Sequence, residues 1–465
     1  MKKILLLVAV FALTLSLAGC LKEREETEAE EVVVLDVLPE GDIDITFWHI
    51  YGQGKAALLD ELIAEFELLY PNINVDSVSQ GSYTDLLQKT KKAIGTGVTP
   101  DLAVGYPDHF AEYLDLGGII GLDGFVEHAE WGVDLTDFVD SYVAENEQYA
   151  EGIMYSMPYS KSTEMMVYNK TVFDANEIYL TNEDVLTWSE LEVIAETVVG
   201  DGENQCEFLI NYDSSANLFI TASKQWDAGY TNSAGEVLID NENTKDMLQY
   251  FDGLFDENIL TLPIEWDEQY GSNNFLAEDV CMTVGSTAGI TYNIPPAGSF
   301  EIGVVPIPQK EGGPVSVMQQ GPNVAIMENT SDAERLASWL LIKFLTNTEN
   351  TAKWAIDTGY LPVRKSGFES DNYQEHLDFE DPLFNLDYLY HSMSANAAYA
   401  QLNSFQYDPA FAGIGLISSA KVREEAGYLL ETLYVETTLT FDPARVHTLD
   451  EIQSVIQDML DQLTW

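Results

Sequence analysis

Between Asp44 and Val104 the spacing of apolar residues switches repeatedly between two periods, and no other feature restricts the fold as much. Asp44–Trp48 (DITFW) alternates and reads as a strand. Gly52 and Gly54 punctuate a turn. Leu58, Leu59, Leu62, Ile63, Phe66 and Leu69 then recur at helical spacing, until Pro71 and Asn72 stop the pattern. Ile73–Val78 reads as a second strand. A helix opens at Ser82 or Tyr83, runs to about Ile94 and is closed by Gly95 and Gly97. Asp101–Val104 is a third short strand. Strand, helix, strand, helix, strand predicts an α/β domain with a largely parallel sheet.

The pattern continues less regularly. Thr163–Tyr168, Phe208–Tyr212, Val280–Val284 and Ile302–Pro306 read as further strands. Thr187 or Ser189 is placed to cap a helix through Glu190 to Val199. Ser331 caps a second, which runs to Leu345 with Leu336, Trp339, Leu340 and Phe344 on one face. Ser419–Trp465 reads as helices separated by Pro443. There is no internal repeat. The chain has enough residues for two or three domain-sized cores.

The first residues read as a processing signal. Lys2 and Lys3 precede an apolar run, Ile4–Ala12, that is too short to span a bilayer. Leu17-Ala18-Gly19-Cys20 resembles the bacterial lipobox, in which cleavage precedes an acylated cysteine. Residues 1–19 are therefore expected to be a signal peptide, with lipidation at Cys20 and residues 20–41 as an acidic tether. The expected location is extracytoplasmic, anchored to the cell membrane by lipid. Each buried methylene of an acyl chain contributes about 0.8 kcal/mol.

Seventy-eight acidic residues against 21 basic ones give a net charge of −57. Such a field excludes nucleic acid as a partner; a surface adapted to salt is expected, with a merely acidic secreted protein as the alternative. An oxidising compartment permits a disulfide between Cys206 and Cys281; a buried thiol at Cys281 is the alternative.

Several segments then match a known family in order and spacing. They are Phe47–His49 (FWH), Gly81–Leu87 (GSYTDLL), Met157–Lys170 (MPYSKSTEMMVYNK), Thr187–Leu191 (TWSEL), Asp279–Thr287 (DVCMTVGST) and Thr358–Ser366 (TGYLPVRKS). Across nearly all of the mature chain they resemble the extracellular solute-binding proteins of ATP-driven (ABC) importers, in the large carbohydrate-binding family. Within it they resemble the glycerol-phosphate- and maltose-type members. The resemblance implies an α/β, two-lobed periplasmic-binding-protein-like fold of type II, with ligand in the cleft. It implies chain crossings near Tyr159–Thr163, near Gln319–Asn323 and after Leu345. Lobe one would comprise 42–160 with 319–350, and lobe two 161–318 with 351–465. The implied partners are a small-molecule sugar and the permease subunits of the importer. The protein itself is expected to be a monomer with no cofactor and no metal.

A sugar receptor needs aromatic faces for the apolar side of a pyranose and polar groups for its hydroxyls. Trp48 and His49 end the first strand, Tyr83 follows a glycine turn at a helix start, and Tyr106 and Asp108 follow the third strand. On the other side Ser286 follows a strand, as does Asp213, with Trp226 downstream as a stacking candidate. Ser162 and Gly321 lie in the implied crossings, Tyr360 in the family-like Gly-Tyr-Leu-Pro turn, and Arg364 just beyond it. Two positions depart from the glycerol-phosphate members. Pro107 stands where they carry an acid, and Gly415 where they carry an arginine. Lys161, Arg364 and Arg423 are the remaining cations near matched segments, none at that position. A neutral sugar or oligosaccharide is therefore expected in preference to a glycerol phosphate or related polyol phosphate.

An enzyme, such as a secreted carbohydrate-active hydrolase, is the rival class. Paired carboxylates carry no information among so many acids. There is no Gly-x-Ser-x-Gly, His-Glu-x-x-His or P-loop, and the six histidines lack metal spacing. A structural adhesin is the third class, and the ordered ligand-face motifs oppose it.

Overall fold

The computed structural model describes residues 32–149, 152–232, 236–381, 385–404, 406–409, 419–434 and 448–463. Residues 1–19, Cys20, most of the expected tether and Gly415 lie outside them. All elements below belong to the unit Val34–Trp465.

Two mixed sheets organise the unit. The first has the order β2-β1-β3-β11-β4, from β1 (Ile43–His49), β2 (Ile73–Ser79), β3 (Leu102–Gly105), β4 (Met157–Pro158) and β11 (Asn323–Ile326). β1 runs parallel to both β2 and β3, and β11 is antiparallel to β3 and β4. The alternation of β1 is explained by its pleat: Ile43, Ile45 and Phe47 are buried on one face. On the helix Gln53–Leu69, Leu58, Leu59, Leu62, Ile63 and Phe66 are buried, but Leu69 at its end is exposed. Ser82 and Asp85 form a capping box on the helix Tyr83–Thr96, and Gly97 ends it in the left-handed conformation.

The second sheet has the order β12-β10-β5-β8-β6-β7. Its strands are β5 (Ser162–Asn169), β6 (Phe208–Tyr212), β7 (Leu260–Thr261), β8 (Val280–Ser286), β10 (Ser316–Gln320) and β12 (Gln406–Pro409), with β9 (Ile302–Val305) also paired to β5. β5 is buried along its whole length, because β8 covers one edge while β10 and β9 share the other. Cys206 and Cys281 form a disulfide that ties the approach to β6 to β8. It closes a loop of 75 residues, which in the chain-entropy view stabilises by about 4 kcal/mol. Thr187 with Glu190, and Ser331 with Glu334, complete capping boxes.

The chain passes between the sheets from β4 to β5 and from β10 to β11, and the two passages touch. Ser160 N–H donates to the Pro322 carbonyl at 3.0 Å. Gly321 adopts φ +91°, and a Cβ there would come within 2.1 Å of the Ser160 oxygen, so only glycine fits. Beneath them Lys161, fully buried, donates to Glu145, to the Gly321 carbonyl at 3.0 Å and to Asn323 Oδ1 at 3.3 Å. Gln319 Nε2 reaches the other Glu145 oxygen at 3.0 Å. A buried ion pair whose remaining valences are satisfied fixes the geometry of the joint.

The helix Thr348–Thr358 packs on the helices Gln53–Leu69 and Asp332–Leu345, beside the first sheet. Val139 N–H donates to the Val363 carbonyl, which joins the following turn to the same layer. The helix Leu386–Ser404 packs on β9 and β5 of the second sheet. No helix among the described residues is long and apolar enough to cross a membrane.

Candidate functional site

A cavity of about 200 Å³ opens where the strand ends of the two sheets meet. Tyr83, Tyr106 and Tyr360 line one side. Tyr83 begins its helix directly after the Ser82 cap, and Tyr106 is itself the cap residue of the helix Pro107–Asp115. Each therefore projects from a helix start that follows a strand. Their rings stack at 4.1 Å between centroids. Pro107 is the first residue of that helix and suits it by its fixed φ. Tyr360 follows Gly359, which ends the helix Thr348–Thr358 at φ +76° and turns the chain back. Burial raises the pKa of all three phenols, Tyr106 to about 12. They stay neutral at physiological pH and offer hydroxyls as well as ring faces.

The opposite side is polar. Glu164 on β5 is buried; it accepts from the Tyr212 hydroxyl at 2.6 Å and from Asn217 Nδ2 at 2.8 Å. Burial still lifts its pKa to about 7. Asp213 follows β6 and accepts from Gly271 N–H at 2.7 Å, and burial lifts its pKa to about 6. Ser214 caps the helix Ser215–Gln225, and Ser286 caps the short turn after β8. Arg423 comes from the helix Ser419–Tyr434 and donates to Asn217 Oδ1. It reaches the cavity because its helix lies against Ser215–Gln225: a Cβ on Gly427 would come within 2.8 Å of Ser215 Oγ, and Ser215 Oγ donates to Glu431 at 2.7 Å. Ser162, Gln320 and Gly321 of the two passages form the floor. Gln320 Nε2 is buried there without a partner among the described residues, an arrangement that a ligand oxygen would relieve.

Of the residues singled out from the sequence, Tyr83, Tyr106, Ser162, Asp213, Ser286, Gly321 and Tyr360 line this cavity. Trp48, His49, Asp108, Trp226 and Arg364 do not. Trp48 packs against the main hydrophobic cluster. His49 is buried, bonded to Ser77 Oγ at 3.0 Å and to Tyr51 N–H at 3.1 Å; burial lowers its pKa to about 4. Asp108 is buried and accepts from the N–H of His109 at 3.0 Å. Trp226 ends the helix that Ser214 begins, so it lies about 14 Å along the axis beyond Asn217 of the cavity wall, against Tyr250 and Phe251. Arg364 spends its guanidinium on Asp137 at 3.1 Å, on the Thr346 carbonyl and on the Phe138 ring face. Glu164, Ser214, Asn217, Gly285 and Gln320 were not singled out, and Arg423 was named only as a cation off the expected position. An acid directly before the apolar run Met165–Tyr168 of a strand was the one available signal, for Glu164.

The family model for bacterial extracellular solute-binding proteins matches residues 61–381. The sn-glycerol-3-phosphate-binding periplasmic protein UgpB of Salmonella typhimurium is 23% identical over 355 residues, covering 72% of this chain and 77% of the relative. Its counterpart in Brucella abortus is 20% identical over 357 residues, covering 74% and 81%. Among solved structures, UgpB from Mycobacterium tuberculosis in complex with glycerophosphocholine superimposes with a TM-score of 0.71 at 23% identity, covering 91% of this chain and 99% of that one. The sugar-binding protein MalE from Xanthomonas citri gives 0.69 at 18% identity, covering 90% and 98%. These structures share the two-lobed fold.

Proposed function

The chain belongs to the bacterial extracellular solute-binding proteins, and from that premise we propose that its cavity captures a neutral saccharide for an ABC importer. It is a receptor of extracytoplasmic solute, not an enzyme. The observation that carries the choice of ligand is the pairing of Glu164 and Asp213 on the wall facing the Tyr83–Tyr106 stack. Carboxylates accept from sugar hydroxyls, and the rings cover the apolar face of a pyranose. At about 200 Å³ the cavity is smaller than the roughly 300–1,000 Å³ of drug-sized sites, which suits a single pyranose ring. A phosphate placed here would lie beside two acids.

Arg423 favours a second reading. It stands with the Ser214-capped start of the helix Ser215–Gln225, and a guanidinium beside free helical N–H groups suits a phosphate. This arginine answers part of the argument from Gly415, because a cation reaches the cavity from elsewhere in the chain. The relatives named for glycerol phosphate agree with that reading. Calorimetry at high salt with glucose, maltose and sn-glycerol 3-phosphate separates the two. Heat with a saccharide and none with the phosphate supports the proposal. Tight phosphate binding that Arg423→Ala abolishes would replace it.

We further propose acyl chains on Cys20 after cleavage of residues 1–19, an acidic tether to residue 41, and a monomer docking on permease subunits. Mass spectrometry of the membrane fraction tests the first; an unmodified amino terminus elsewhere would refute it. We place the lobe crossings at 158–162 and 320–323. We propose that the third comes later than the one expected after Leu345, because the helix Thr348–Thr358 packs on Gln53–Leu69 and Asp332–Leu345 while Leu386–Ser404 packs on β5 and β9. The net charge of −57 supports a salt-adapted surface. Screening lengths fall from about 30 Å at 0.01 M to about 3 Å at 1 M.

A further inference from the structure

One contact beside the cavity joins the two layers and has no role in the lining. Lys55 lies in the first turn of the helix Gln53–Leu69, on the first-sheet side. Its Nζ donates to the carbonyl of Ala288 at 2.9 Å. Ala288 belongs to the turn Thr287–Asn293, which follows Ser286 and packs on β5, β8 and the helix Leu386–Ser404 of the other layer. The same ammonium stands 5.1 Å from the centroid of the Tyr360 ring. One cation thus touches the ring of one wall and the backbone of the other. The surfaces meet directly alongside: a Cβ on Gly359 would come within 2.6 Å of the Thr287 carbonyl.

Local physics gives Lys55 no reason to sit this way. A cation in the first turn of a helix opposes the macrodipole. Glu61 and Glu65 on the same helix pair with Lys353 instead. Burial pulls the ammonium down to about 8. What holds it in place is the carbonyl across the cleft and the aromatic face beside it.

We propose that Lys55 is a positioning residue for the ligand site, a clasp that holds Tyr360 and the Ser286–Ala288 segment in register when the lobes are closed. This rests on reading the cavity as the solute site, but the clasp belongs to the ligand-free chain and is tested there. The contact with the Tyr360 ring needs the charged form, and the hydrogen bond to the carbonyl is weaker without it. The titratable groups facing it are Tyr360 on its turn and, on Leu386–Ser404, His391, which senses the Lys55 charge and also that of Asp387.

The test uses the mature full chain with its disulfide intact and spin labels at Leu68→Cys and Val193→Cys, exposed positions on the two layers. Pulsed dipolar spectroscopy without ligand reads the closed fraction at pH 7. Lys55→Met is expected to lower it at least fivefold, and Lys55→Arg to keep it. Raising the pH from 7 to 9.5 should deplete it with the native lysine but not with arginine. Equal closed fractions in Lys55→Met and the native chain, including none in both, would overturn the clasp, as would the same pH loss in Lys55→Arg. If these arms behave as expected while calorimetry finds no saccharide, the choice of ligand fails and the clasp stands.

Discussion

On the first-sheet side the cavity meets three neutral tyrosines, two of them, Tyr83 and Tyr106, stacked on one another; on the second-sheet side it meets Glu164, Asp213, two serines, Asn217 and Arg423. The tyrosines are held by local geometry: a helix start after a strand, a cap, a left-handed glycine. The polar groups are held by one another, through Tyr212, Asn217 and a helix that arrives from a distant part of the chain. One wall supplies faces and the other supplies donors and acceptors. A ligand that needs both must touch both lobes, so its differential contacts favour the closed state.

The largest effect is expected where the two walls are joined. Lys161→Met removes one partner of a fully buried ion pair and leaves the Glu145 charge unpaired. Unfolding in urea should show a loss of roughly 3–5 kcal/mol; a change under about 1 kcal/mol would mean that the joint does not depend on this pair. Gly321→Ala forces a side chain into the left-handed region against the Ser160 carbonyl. It should lower stability by about 2–3 kcal/mol, and a neutral result would show that the passage can shift at little cost.

Within the polar wall, Asp213→Asn should weaken saccharide binding by about 10–100-fold, the loss of one or two charge-assisted hydrogen bonds. Unaltered calorimetric affinity would remove Asp213 from the site. The same wall makes stability depend on pH. Glu164 has a native pKa of about 7 against an ordinary 4.5, so the native state holds more protons between those values. Its contribution is fully present below about pH 4.5 and is lost as pH rises toward about 7. Asp213, raised to about 6, acts in the same direction. Thermal scans from pH 5 to 8 should therefore show the unliganded chain losing on the order of 1–3 kcal/mol more than Glu164→Gln does. Parallel curves would show that Glu164 titrates normally.

The smallest effect belongs to the aromatic wall. Tyr360→Phe keeps the ring and removes only a neutral hydroxyl, so affinity should fall about fivefold. A larger loss than that of Asp213→Asn would reverse the comparison and make the tyrosines the hydrogen-bonding side.

The contrast between the walls also separates what the linear chain carries from what folding adds. Period changes placed the first three strands and their helices, because alternation and helical spacing are short-range consequences of burial on one face. A glycine turn at a helix start pointed to Tyr83 and the end of the third strand to Tyr106, whose positions are set within a few residues of each strand end. Strand ends pointed equally to Trp48 and His49, which do not line the cavity, since a pleat and neighbouring rings decide which side chain at such an end is covered. Glu164, Asn217 and Arg423 come from three separate segments, and no spacing in the sequence relates them. Arg423 lies 206 residues from Asn217, yet Gly427 lets one helix approach the other closely enough for the two to bond. The sequence by itself thus determined the strands and helices around the first sheet and the positions of Tyr83 and Tyr106, which depend on local backbone geometry. Tertiary structure alone decided the charged wall, because long-range packing brings its groups together and burial sets their protonation.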